Sequence, residues 1–120
     1  MIPKPLVAAS LRPLLLSVLA HGESYGYAII QRVKTLTHGD LAWTTSTLYP
    51  VLHSLEHDGL LVSQWRAGDE GPRRKYYRLT EAGEQALARE QQQWLAVHQA
   101  LTTLWDGLAG PAASPGLTPG

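Results

Sequence analysis

One β-hairpin set among helical segments constrains this chain more than any other feature of its sequence. Leu60-Leu61-Val62-Ser63-Gln64-Trp65-Arg66 and Arg73-Arg74-Lys75-Tyr76-Tyr77-Arg78-Leu79 are both rich in strand-forming residues. The six residues between them, Ala67-Gly68-Asp69-Glu70-Gly71-Pro72, form the loop. Three helical patterns precede the hairpin and one long pattern follows it. Leu11, Leu14, Leu15, Val18 and Leu19 mark a first helix from about Ala8 to Ala20, with Pro13 in its early turns. Ser24 is an N-cap for a second helix reaching Thr37, with Tyr25, Ile29, Val33 and Leu36 at helical spacing. Gly26 inside that helix points to close packing against a neighbour, and His38-Gly39-Asp40 ends it.

Thr44-Thr45-Ser46-Thr47 offers N-caps for a third helix running to Asp58. Its inward stripe is Leu48, Val51 or Leu52, and Leu55, and Pro50 falls in its first turn or two. Gly59 is a natural left-handed stop. After the hairpin, Thr80 caps a helix extending to about Leu108, ~43 Å long at 1.5 Å per residue. Leu87, Trp94, Leu101 and Leu108 recur every seven residues along it, with Leu95, His98, Leu104 and Trp105 beside them. Three prolines and three glycines in the last twelve residues predict a disordered tail. The expected fold is mainly α with a small β-hairpin: a winged helix-turn-helix over residues 1–79, a C-terminal dimerisation helix over 80–108, and a tail over 109–120.

At 120 residues the chain has room for one domain. The absence of cysteine excludes a disulfide scaffold, thiolate catalysis and the cysteine-based zinc modules. Ten basic and ten acidic residues give a net charge of zero, but the balance is a cancellation. Residues 1–80 hold nine Lys+Arg and six Asp+Glu (+3), and residues 81–120 hold one and four (−3). Lys4 and Arg12 precede the apolar run Leu14–Ala20, and Val18-x-Ala20 resembles a signal-peptidase site. That run has only seven residues, and nearby prolines favour a first core helix instead. No apolar stretch approaches the ~20 residues of a membrane span, and a cytoplasmic location is expected.

A winged helix lays its third helix in the DNA major groove while the wing reaches phosphate or the minor groove. With the leucines inward, Thr45, Ser46, Tyr49 and His53 face outward, all able to hydrogen-bond base edges or phosphates. The competing assignment makes Thr45 and Ser46 helix caps and Tyr49 a packing residue. Arg66, Arg73, Arg74, Lys75 and Arg78 place five cations in thirteen residues of the hairpin, a phosphate-binding rim or simply a solvated wing. The apolar seam of the long helix needs a partner helix. A second copy supplies one and would set two reading helices on a palindromic operator; folding back onto its own domain is the other option.

Ser24-Tyr25-Gly26-Tyr27-Ala28-Ile29, Ser46-Thr47-Leu48-Tyr49-Pro50-Val51-Leu52-His53-Ser54-Leu55-Glu56, Gly59-Leu60-Leu61 and Arg73-Arg74-Lys75-Tyr76-Tyr77-Arg78-Leu79-Thr80-Glu81-Ala82-Gly83 occur in this order. As a set they closely resemble the PadR family of bacterial transcriptional regulators, over roughly Leu14 to Gly83. The resemblance implies a homodimeric repressor of the short subgroup, whose single C-terminal helix builds the dimer interface. It implies that Thr45, Thr47, Tyr49 and His53, with Arg73, Arg74 and Lys75, face DNA. Ser46 stands where members commonly have glycine, which bears on how the helix N-terminus approaches DNA. Some short members also bind flat apolar compounds between subunits. Leu87, Trp94, Leu101 and Trp105 are accordingly expected at the dimer interface or in an aromatic effector's cavity, with ordinary dimer packing the plainer role.

His53-Ser54-Leu55-Glu56-His57 formally matches the H-x-x-E-H metallohydrolase signature. It lies on the expected reading helix, its Leu55 serves the core, and no third ligand stands out. No enzyme activity, metal or cofactor is therefore expected. The serious alternative to a DNA-binding regulator is a winged-helix protein-interaction module, and the basic wing discriminates between them.

Overall fold

The computed structural model describes residues 2–67 and 71–113. The elements, in chain order, are α1 (Lys4–Ala20), β1 (Ser24–Tyr25), α2 (Gly26–Leu36), α3 (Thr45–His57), β2 (Leu61–Ala67), β3 (Arg73–Leu79) and α4 (Glu81–Ala113). They fall into two compact units, Met1–Ala88 and Arg89–Gly120. The boundary lies inside α4 rather than at its start, because the first turns of that helix belong to the core of the first unit. Ala86 is buried there, and Leu87 packs against the main hydrophobic cluster.

α1 begins at Lys4, four residues before the expected start at about Ala8. Pro3 is the N-cap and Pro5 sits in the first turn, where a missing N–H costs nothing. The helix buries Leu11, Leu15, Leu16, Val18 and Leu19. Leu16 joins them and the expected Leu14 packs half-buried against the same core, because α1 packs on α2, α3 and β3 together and so buries a wide face. The apolar run that resembles a leader segment is thus core. Ile29, Ile30 and Val33 of α2 and Leu48, Leu52 and Leu55 of α3 complete the helical layer. Each fully buried aliphatic side chain contributes roughly 1.5–3 kcal/mol. Leu36, expected on the inner stripe of α2, is 59% exposed beside the turn that ends the helix.

The second helix starts two residues later than expected. Ser24 does not cap it; the N-cap position falls to Tyr25, which makes no side-chain cap bond, and the two residues form a third strand, pairing Ser24 with Tyr77 and Tyr25 with Tyr76. The sheet order is β1-β3-β2, antiparallel throughout, with β2 and β3 in register from Leu61↔Leu79 to Ala67↔Arg73. A two-residue strand has no periodicity to read, and only its cross-strand partners reveal it. Part of the hairpin tip, residues 68–70, lies outside the described residues.

α3 ends at Gly59 as expected. With φ at +79°, Gly59 lets Leu60 N–H bond back to Leu55 O at 2.9 Å while its own N–H reaches Glu56 O at 3.0 Å. Thr80 then fastens the start of α4 to this turn. Its hydroxyl donates to Gly59 O at 2.7 Å and accepts from Gly83 N–H at 3.0 Å, the N-cap bond. Its own N–H reaches Leu60 O at 3.0 Å. Thr80→Ala removes both hydroxyl bonds and is expected to cost about 1–2 kcal/mol, read as a lower midpoint in urea unfolding.

In the second unit, α4 continues through residues 109–113, five residues into the segment expected as a tail. The rest of that segment, 114–120, lies outside the described residues.

Candidate nucleic-acid interface

The N-terminus of α3 is built from hydroxyls. Thr44 is the N-cap, accepting from Thr47 N–H at 3.3 Å, and its Oγ1 lies 2.9 Å from Ser46 Oγ and 3.1 Å from Thr47 Oγ1. Ser46 and Thr47 are thereby tied into the cap, while Thr45, Ser46 and His53 are all exposed. A cap at Thr44 puts Pro50 in the second turn, where its missing N–H leaves the Ser46 carbonyl without its helical donor. Tyr49 is half-buried, lying over the first residue of α2. A Cβ on Gly26 would sit 2.5 Å from the Tyr49 hydroxyl oxygen, so any larger residue there would push the Tyr49 ring aside. The Tyr49 ring also stands 6.1 Å from the His53 ring.

Side chains alternate across a strand, so the register fixes two faces of the wing. Tyr77, Lys75 and Arg73 share one face with Ser63 and Trp65. Here Tyr77 is buried in the core, and burial pushes its phenol up from the ordinary value. Glu56 of α3 binds this face, accepting from the Ser63 hydroxyl and lying 3.6 Å from Lys75 Nζ. Lys75 is thus a tie between α3 and the wing. Arg73, further out, stands over the Trp65 ring at 5.9 Å.

The opposite face carries a row of stacked cations and rings. Arg66 lies 4.8 Å over Tyr76, whose ring meets Tyr25 edge-on at 5.3 Å. Arg74 lies 4.5 Å over Tyr25 and donates to its hydroxyl at 3.1 Å. Arg66 also makes a two-pronged bond to Glu23, and that guanidinium holds the Glu23 carboxyl below its usual range. Such rows hold guanidinium groups in place without cancelling their charge.

Between α3 and the wing runs an open groove of about 460 Å³, lined by Tyr25, Gly26, Tyr27, Tyr49, His53, Trp65, Arg73, Arg74, Lys75 and Tyr77. Five residues expected from the sequence to contact DNA, Tyr49, His53, Arg73, Arg74 and Lys75, therefore converge on one surface. Thr45, Ser46 and Thr47 are not in its lining and stand at the end of α3. Tyr25, Tyr27 and Trp65 join the groove without any sequence signal having marked them for it. Trp65 depends on the observed register, which sets it opposite Lys75, and Tyr25 depends on the short third strand. Within the H-x-x-E-H pattern, Glu56 is engaged by Ser63 and Lys75. Among the described residues no three His, Cys, Asp or Glu side chains are grouped to hold an ion.

Of the residues expected at a dimer interface, Leu87 is taken up by the core of the first unit. Trp94, Leu101 and Trp105 are exposed, at 41%, 39% and 55%. Val97, Leu104 and Leu108 are exposed with them, extending the apolar seam of α4 at alternating three- and four-residue steps.

Residues 15–89 match the transcriptional regulator PadR-like family. Transcriptional regulator Rv3488 of Mycobacterium tuberculosis is 42% identical over 82 residues, 68% of this chain and 73% of that protein. A PadR family transcriptional regulator from Eggerthella lenta is 34% identical, with a TM-score of 0.70 over 85% of this chain and 87% of the other. A transcriptional regulator from Clostridium thermocellum is 26% identical, with a TM-score of 0.77 over 86% and 97%. With its winged fold and this extent of match, the chain belongs to the PadR-like family of transcriptional regulators, a family of regulators and not of enzymes.

Proposed function

We propose that the chain is a homodimeric repressor that binds a palindromic DNA operator in the cytoplasm. Its α3 helix enters the major groove, and the wing contacts the backbone through Arg73 and Arg74. The carrying observation is the convergence of α3 and a cationic, aromatic-backed wing on one groove. Among the described residues no helix is long and apolar enough to cross a membrane. Selection of duplexes from a random-sequence library by the full chain tests the reading. An inverted repeat with half-sites about one helical turn apart is expected; absence of any enriched sequence overturns it.

The exposed seam of Trp94, Val97, Leu101, Leu104 and Leu108 supports self-association, since an apolar stripe at heptad spacing is stable against a matching helix. A chain ending at Arg89 keeps the first unit and loses the seam. It is expected to sediment as a monomer where the full chain sediments as a dimer, and a truncated dimer would move the interface elsewhere. Trp94 and Trp105 are assigned to packing in this seam. Saturable quenching of their fluorescence by a small aromatic compound, with release of DNA, would make them an effector cavity instead.

A further inference from the structure

The thirteen residues of α3 include no arginine, lysine, asparagine or glutamine. Those four side chains make the bidentate pairs that identify guanine and adenine edges in the major groove. Two of the helix hydroxyls, Ser46 and Thr47, are bound to the Thr44 cap, and the half-buried Tyr49 ring lies close over Gly26. His53 can add single hydrogen bonds, which discriminate bases poorly. Thr45 is exposed at the first position of the helix, outside the cap cluster, and carries a methyl group. A threonine methyl is a natural partner for the C5 methyl of thymine.

We propose that α3 reads thymine methyl groups in the major groove, with the Thr45 methyl as the principal contact, rather than purine edges through paired hydrogen bonds. The proposal rests on the DNA-binding reading above and specifies its chemistry. Affinity then comes from the wing, and sequence discrimination from apolar contact.

The test uses the full chain and the duplex it selects from a random library. In one version every thymine becomes deoxyuridine, removing only the methyl groups; in another every guanine becomes 7-deazaguanine, removing the N7 acceptor. Removing each methyl that the protein touches is expected to weaken binding about fourfold, or about sixteenfold for one methyl in each half-site. The 7-deazaguanine duplex is expected to bind as the unmodified one does. Thr45→Val, which keeps a methyl and loses the hydroxyl, is expected to bind normally. Thr45→Ser, which loses the methyl, is expected to bind the thymine duplex weakly and the deoxyuridine duplex no worse than wild type does. Equal affinity for thymine and deoxyuridine duplexes, or a larger loss with 7-deazaguanine, overturns the methyl readout and leaves DNA binding standing. Failure to select any duplex overturns both.

Discussion

Replacing Arg73 and Arg74 together by alanine is expected to flatten the slope of log affinity against log salt by about 3.6 for the dimer, at ~0.9 for each of the four phosphates no longer neutralised by the two copies. Over the decade from 1 M to 0.1 M salt, that slope difference amounts to roughly 4,000-fold weaker binding at the lower concentration. These two residues are singled out by what holds each wing cation. Arg66 is engaged by the Glu23 carboxylate and Lys75 stands beside Glu56, so part of their charge is already answered within the protein. Arg73 and Arg74 rest on the rings of Trp65 and Tyr25, which orient a guanidinium and leave its charge for a phosphate. Arg66→Ala is accordingly expected to change the salt slope far less than the double replacement. An unchanged slope in the Arg73/Arg74 variant would favour the protein-interaction alternative for this winged helix.

Gly83→Ala is expected to be the most destabilising small substitution in the first unit. Its Cβ would lie 2.1 Å from the backbone oxygen of Leu60 and 3.1 Å from the Leu79 side chain. The obstructing atom is backbone, fixed by the turn at Gly59 and by the Thr80 bonds, so it cannot swing aside. The start of α4 must lift away, at an expected cost of about 3 kcal/mol and a fall in Tm of roughly 10 °C or more. Gly107→Ala is the matched control. Nothing lies within 4 Å of a Cβ there, and ordinary helix propensity predicts a gain of up to about 1 kcal/mol. Equal melting behaviour of the two variants would contradict the close approach of α4 to the Leu60 backbone.

Much of this was legible in the sequence because local rules and tertiary packing agree. Leu48, Leu52 and Leu55 lie inward, Gly59 adopts the left-handed stop, Thr80 caps α4, and Arg73–Leu79 is a strand. The failures have a common cause: a residue whose partner is distant in sequence. Ser24 has the chemistry of an N-cap, yet it pairs with Tyr77 across the sheet. Leu87 fits the heptad, and it also packs half-buried against the core of the first unit, a contact the heptad does not foretell. In the groove, Tyr49 and His53 were legible from one helix face. Tyr25 and Trp65 needed the three-stranded register to bring them there.

The central claim is that two copies of this chain hold one duplex, each through its α3 helix and wing. Sedimentation of the full chain with its selected duplex measures this most directly. Two chains per duplex are predicted, with the complex abolished when either half-site is scrambled. One chain per duplex, or equal binding to a fully scrambled sequence, would contradict the account.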